Sequence, residues 1–307
     1  MSNSKQILLI VIFSLLFFFS CEKGETSKKV SLENRSQNLE QDILASDQDC
    51  LKFGFDLRLG PKDDVRIYLP FLRYLERATG ENFCLQFTER YEENIKNLGS
   101  GAIQFAALGP VSCVIAKESY NVDCLVMGLN SSGKAEYSAF IIAKKDCPIN
   151  DIRDLKGKSF AFGNKFSTQG HLIPRKMLED SGISLQDLNS HVFTGSHANT
   201  ARAVLKGDYD AGSIQDNLAK RLLSQGKIKV LGISEPYPSS LICYNKNVDP
   251  DTLKAVETAL LAFDPIGKHA NILVNWQLTE MPNGFAKVKT PSLKKIYHLS
   301  KKYGLLQ

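Results

Sequence analysis

From Leu51 onward, short β-prone runs alternate with apolar patterns at helical spacing. This alternation constrains the fold more than any other feature, because strands and helices that take turns along a chain pack as α/β layers around a largely parallel sheet. Residues 51–57, 83–87, 105–108, 122–129 and 137–144 read as strands, with helices over 68–78, 92–98 and from Val111 to Lys117 between them. A second series starts at Asp151. It has strands at 159–162, near Val192 and at 210–214, and helices over 175–180, 200–206 and 218–224. Strands at 229–233 and 241–244, a helix from Asp249-Pro250 to Phe263 and a last helix over 293–303 complete it. The stretches 98–108 and 205–214 share a plan: a helix end, a glycine, then a short strand of small residues. Two α/β lobes of related layout place a cleft between them, where ligand sites form.

The chain has 307 residues, 43% hydrophobic and 23% charged, enough for two such lobes. Before them comes a different kind of sequence. Lys5 precedes an apolar run from Ile7 to Phe19, broken only by Ser14, and Ser20 and Cys21 follow. This is the pattern of a secretory signal over residues 1–20, and the run is short for a membrane span. Residues 15–21 also resemble a bacterial lipobox, which makes Cys21 the lipidated mature N-terminus and the lipid bilayer a partner. Residues 21–48 are polar and read as a tether. With 38 Lys and Arg against 33 Asp and Glu, loss of Lys5 with the signal leaves a net charge of +4. That balance, without a basic run or an aromatic-interleaved patch, excludes nucleic acid as the expected partner. Cys50, Cys84, Cys113, Cys124, Cys147 and Cys243 show no C-x-x-C spacing, so no metal site is expected. In an exported chain they are either disulfides or buried thiols.

The richest local signal lies at 159–174, SFAFGNKFSTQGHLIP. A strand ends at Gly163, a hydroxyl-bearing loop follows, and a helical pattern opens near Pro174. Amides at a helix N-terminus lack intrahelical partners and carry partial positive charge, so an oxyanion can dock on them. Ser167 and Thr168 add neutral donors, although either residue also serves as a plain helix cap.

Several stretches, in order, resemble the substrate-binding proteins of phosphate/phosphite/phosphonate ABC transporters. They are LPFLRYLERATG at 69–80, Tyr91, Leu108-Gly109-Pro110, Tyr137-Ser138, DLKGKSFAFG at 154–163, STQGHLIP at 167–174, Gly195-Ser196-His197 and VLKGDYDAG at 204–212. The resemblance implies a type II periplasmic-binding-protein fold of two α/β lobes. Their expected bounds are 49–142 and 236–307 for the first lobe and 143–235 for the second. The implied ligand is a phosphorus oxyanion held between the lobes, and the implied partner is an ABC permease. By match of motif, Tyr91 and Tyr137 line the cleft from the first lobe. Ser167, Thr168, Gln169 and Gly170 hold phosphoryl oxygens from the second, and His197 completes the clamp. Asp216 lies near the position that offers an acid to an amine-bearing ligand. Two departures stand out: Ile103-Gln104 replaces an apolar-Asp pair, and Ser239-Ser240 stands where many members have an aspartate. The second argues against an aminoalkyl ligand.

Donors alone suffice for such a site, because hydrogen bonds to a charged group contribute roughly 1.5–3 kcal/mol each, against about 8 kcal/mol for a micromolar ligand. The resemblance, with the lipobox, implies a monomeric, cofactor-free capture protein, exported and lipid-anchored. The alternatives are a ligand-binding sensor subunit or an enzyme on the same two-lobed fold. The sequence shows no paired nucleophile and base at a recognisable elbow, which argues against the enzyme.

Overall fold

The computed structural model describes residues 50–288 and 293–306. The signal at 1–20, Cys21 and the whole tether lie outside them. Among the described residues no helix is long and apolar enough to cross a membrane.

Two sheets organise the chain. The first has the order β13-β4-β12-β3-β1-β2, built from β1 (Leu51–Phe55), β2 (Phe83–Leu85), β3 (Phe105–Leu108), β4 (Val122–Gly128), β12 (Leu241–Asn245) and β13 (Phe285–Lys287). The second has the order β10-β6-β9-β7-β8, built from β6 (Ala139–Lys144), β7 (Ser159–Phe162), β8 (Ser190–Phe193), β9 (Ala211–Gln215) and β10 (Ile228–Ile233). Between them the chain crosses twice, at β5 (Glu136–Tyr137) and β11 (Tyr237–Pro238), and the crossings pair antiparallel with Tyr237 opposite Tyr137.

The expectation of largely parallel sheets is not met. Parallel pairing joins β1 to β2 and β3, and β7 to β8 and β9. Strand β6 runs antiparallel to β9 and β10, and β12 antiparallel to β3 and β4. The crossings are the physical cause. Strands β6 and β12 are each fed directly from a crossing rather than through a helix, and a right-handed helical crossover is what delivers a parallel neighbour.

Helices α1 (Pro61–Thr79), α2 (Tyr91–Ser100), α3 (Pro110–Ser119) and α7 (Pro250–Ala262) accompany the first sheet, and α4 (Ile173–Asp180), α5 (His197–Lys206) and α6 (Asp216–Ser224) the second. Phe53, Tyr68, Phe71, Phe263 and Trp276 are all buried in the first lobe's core, with the Phe71 and Trp276 rings stacked at 4.9 Å. The second lobe packs Phe160 and Phe162 against Leu155, Leu178 and Leu188. The shared plan of 98–108 and 205–214 is visible in the backbone. Helices α2 and α5 both end on a left-handed glycine, Gly101 at φ 81° and Gly207 at φ 84°, ahead of β3 and β9. The last helix, α8 (Lys294–Lys302), belongs to neither sheet alone. Ile296 packs with Val111 and Val114 of the first lobe and Leu172 and Ile173 of the second, while Lys302 and Tyr303 reach Glu179 on α4.

Cys50 and Cys84 form a disulfide joining the starts of β1 and β2. Cys113, Cys124, Cys147 and Cys243 are free thiols.

Candidate functional site

Strand β7 leads into the loop that the sequence singled out. Ser167 caps a wide, π-helical turn over Thr168–Leu172, its Oγ accepting from Gly170 N, and α4 follows with Pro174 in its first turn. The amides of Thr168 and Gln169 precede the first intrahelical bond. Gly170 is needed here for space. A Cβ would lie 2.9 Å from Ser167 Oγ and 3.1 Å from both Gly163 Cα and His197 Cε1. Its backbone groups are already bonded inside the lobe: the amide to Ser167, the carbonyl to Gly163 N and Ser213 Oγ. Gly170 therefore shapes the wall and has no amide donor to offer a ligand in this conformation.

Thr168 faces the other lobe. Its Oγ1 accepts from Val111 N at 3.0 Å, and the buried Tyr137 hydroxyl hydrogen-bonds to its side chain. Gln169 is buried, with Nε2 on Ser138 O at 2.8 Å and Oε1 without a protein partner. His197 opens α5 and is 1% exposed, with Nδ1 unpartnered. Burial pushes its pKa down to about 4; Glu280 opposes the shift and Arg58 reinforces it, so the ring is neutral at pH 7. Tyr91, in the first turn of α2, is buried and donates to Leu57 O at 2.9 Å. Asp216 starts α6, is buried, and pairs with Lys220 at 3.1 Å. It shares a cavity of about 220 Å³ with Tyr137, Ser138 and Lys220. An acid at a helix start is usually solvated; this one is shielded by Gln169 and the crossing.

The sequence reading missed the charged half of the site. Arg58 and Glu280 meet at 2.8 Å with side chains 6% and 4% exposed. The guanidinium also donates to Asp56 O and Ser240 Oγ, and Ser240 Oγ in turn contacts Glu280. Burial pushes the Glu280 carboxyl up, but Arg58 beside it reverses this and leaves it below the usual range. The loop carrying Arg58 is fixed by one acid: Asp64, in α1, accepts from the amides of Arg58, Leu59 and Gly60 at 2.9–3.0 Å. Asp56 is buried at the end of β1, accepting from Gly109 N at 2.9 Å, and burial raises its pKa to about 6 against the pull of Arg58. Tyr91, Tyr137 and His197 all feel the Arg58–Glu280 pair.

The structure thereby adds two features that the sequence did not show. A buried cation, Arg58, stands beside the neutral donors. Beside Ser240, Glu280, forty residues further on, supplies a carboxylate. A signal was present in the sequence only as a lone Arg after a strand and a Thr-Glu pair in a loop, and neither residue type marks a site by itself.

Bonds cross the cleft besides Val111 to Thr168. Ala198 N donates to Arg58 O, Gln215 Nε2 to Leu278 O at 3.1 Å, and Asn217 Nδ2 to Thr279 O. Two α/β lobes joined by a paired double crossing, with a buried polar site where they meet, define the type II periplasmic-binding-protein class. The chain belongs to the family of periplasmic substrate-binding proteins of phosphonate ABC transporters, whose family model matches residues 53–289. It is 26% identical over 208 residues to the phosphate-import protein PhnD of Mycolicibacterium smegmatis, a match covering 62% of this chain and 64% of that one. It is 29% identical over 195 residues to the phosphonates-binding periplasmic protein of Escherichia coli, covering 60% and 57%. Both matches span less than two thirds of the relative's length. Its fold is similar to that of PhnD1 from Prochlorococcus marinus, solved in complex with methylphosphonate. The TM-score is 0.74 at 18% identity, over 83% of this chain and 98% of that one.

Proposed function

We propose that this chain is a non-catalytic, extracytoplasmic capture protein. It takes a phosphorus oxyanion (phosphonate, phosphite or phosphate) between its lobes and presents it to an ABC permease, as a monomer lipid-anchored through Cys21. In this reading 49–142 and 236–307 form one lobe and 143–235 the other. Tyr91, Tyr137, Ser167, Thr168, Gln169 and His197 face the ligand, Gly170 keeps the wall narrow, and Asp216 lies at the mouth.

The observation that carries the proposal is that buried Tyr91, Tyr137 and His197 all feel the Arg58–Glu280 pair, with Thr168 joined to them through Tyr137 and to the first lobe through Val111 N. Arg58 is a cation suited to phosphoryl oxygens. A neutral His197 donates from one ring nitrogen and accepts at the other, which matches a ligand carrying both P–O⁻ and P–OH. Glu280 and Asp216 are already paired with Arg58 and Lys220, so no free acid awaits a cationic tail. A small ligand without an amine is favoured. Contacts made from both lobes at once are what let a ligand favour the closed arrangement, since only differential contacts shift such an equilibrium.

Calorimetric titration with phosphate, phosphite, methylphosphonate, 2-aminoethylphosphonate and sulfate tests this. Saturable binding of at least one of the first three, tighter than the aminated ligand and sulfate, is expected. A flat titration across the panel would sink the proposal. The anchor is tested separately, by the mass of the N-terminal peptide of the membrane-extracted protein, which should begin at a lipid-modified Cys21.

A further inference from the structure

Within one turn of α3 from Val111, the first lobe gathers three cysteines that the sequence keeps apart. Cys113 comes from α3, Cys124 from β4 and Cys243 from β12. Their sulfurs all lie within 4.8 Å of one another, and Cys243 Sγ is 3.6 Å from Cys124 Sγ. Strands β4 and β12 place Cys124 and Cys243 directly opposite each other, and α3 lays Cys113 over them. Cys113 and Cys243 are fully buried, while Cys124 is half-buried. Beside Cys124 opens a cavity of about 580 Å³ lined also by Lys117, Asp123, Tyr297 and His298.

We propose that this thiol cluster is a binding site for a soft, thiophilic d¹⁰ metal ion, with monovalent copper as the ion it suits best. A metal–thiolate bond is about 2.3 Å long, so three sulfurs around one ion stand roughly 3.8–4.0 Å apart. The observed spacing falls within about 1 Å of that figure. Thiolate ligands select copper(I) over harder ions. Among the described residues the cluster offers three ligand atoms and no fourth, which suits a three-coordinate ion better than zinc, with its preference for four.

The remaining requirements of a metal site are an entry path and ligands that can deprotonate. The cavity supplies the path, with Cys124 at its inner wall and Cys113 and Cys243 behind. Cys243 Sγ lies 3.6 Å from Cys124 Sγ, so the ligand atoms are already gathered around one point. Each thiol that ligates gives up its proton as the metal–sulfur bond forms. The alternative chemistry of two such thiols is a disulfide between Cys124 and Cys243, and it excludes the metal.

The test uses the full mature chain, purified without reductant so that the Cys50–Cys84 disulfide persists. Copper(I) is offered anaerobically as its bicinchoninate complex, and X-ray absorption reads the bound ion. One copper per chain, in a shell of three sulfurs, is the expected result. The variants Cys113→Ala, Cys124→Ala and Cys243→Ala should each weaken binding at least tenfold, while Cys147→Ala should bind as the parent does. Retained circular dichroism and phosphonate titration confirm that each variant is folded. Three results would overturn the proposal: a Cys124–Cys243 disulfide in the protein as isolated, tight zinc binding with no copper transfer, or a folded Cys113→Ala variant that binds like the parent.

Discussion

The two walls of the cleft hold their polar groups by opposite means. The first lobe's wall is charged: Arg58, Glu280, Asp56 and Asp64 are all nearly or fully buried, and each is held by another charge or by backbone amides. The second lobe's wall is neutral: Ser167, Thr168 and Gln169 are held by a wide π-helical turn, and a deprotonated His197 by packing at the start of α5. The difference teaches a division of labour. A buried ion pair contributes little net stability but makes the loss of either partner costly. A neutral donor set is cheap to bury once bonded and can exchange its partners for a ligand's oxygens. In this reading the charged wall fixes geometry and sign, and the neutral wall does the adaptable bonding.

The largest effect that can break this comparison is expected at Arg58. Arg58→Met leaves Glu280 buried and unpaired, and should cost about 3–5 kcal/mol of stability in urea unfolding. Replacing both members, Arg58→Met with Glu280→Leu, should recover most of that loss while abolishing oxyanion binding. A double variant as unstable as the single one would show that the pair is itself a net stabiliser, contrary to the division drawn here.

Next comes pH, where the walls differ in sign. His197 has its folded pKa near 4, below the 6.5 of the unfolded chain. The unfolded state therefore binds its proton first, and stability is lost as pH falls from about 6.5 toward 4. Asp56 is raised to about 6 from 3.8, so folding gains from its protonation as pH falls through 6 toward 3.8. Unfolding midpoints between pH 7 and 4.5 should accordingly decline less in His197→Gln than in the parent, and more in Asp56→Asn. His171, also lowered to about 4 by burial, contributes the same way in all three proteins and cancels from the comparison. Equal slopes in parent and His197→Gln would place His197 outside the titrating set.

Thr168→Val tests the neutral wall directly. It removes a hydroxyl that receives Val111 N and hydrogen-bonds with Tyr137, while keeping the side chain's shape. Loss of one bond to a charged ligand should weaken binding by roughly 1.5–3 kcal/mol, with a smaller change in unfolding. Binding unchanged by calorimetry would move the ligand away from this turn.

The neutral wall was legible in the sequence because it is local. Strand, cap and helix start occupy sixteen consecutive residues, with Ser167 as cap and Pro174 in the first turn as their signatures, whereas the lack of room for a Cβ at Gly170 emerges only in the fold. The alternation of strands and helices pointed to the two lobes. Strand direction was not legible, since nothing within β6 or β12 states that each arrives straight from a crossing. Nor was the charged wall, whose members come from positions 56–64, 240 and 280 and meet only when the first lobe folds. The thiol cluster failed for the same reason: its spacing in sequence matches no ligand motif, and tertiary packing alone supplies it.

The smallest predicted effect lies at the mouth, where the two kinds of wall meet. Lys220 is half-exposed and pairs with the buried Asp216 across one helical turn. Such a pair contributes about 0–1 kcal/mol, so Lys220→Met should barely move the unfolding midpoint. It should nonetheless leave a carboxylate uncompensated beside the cavity that Tyr137 shares. An incoming anion then meets repulsion, and affinity for methylphosphonate should fall by about threefold at low salt. The gap should close at several hundred millimolar salt, where the Debye length shrinks to a few ångströms. A loss of affinity that persists in high salt would instead mean direct contact between Lys220 and the ligand, and would extend the charged wall onto the second lobe.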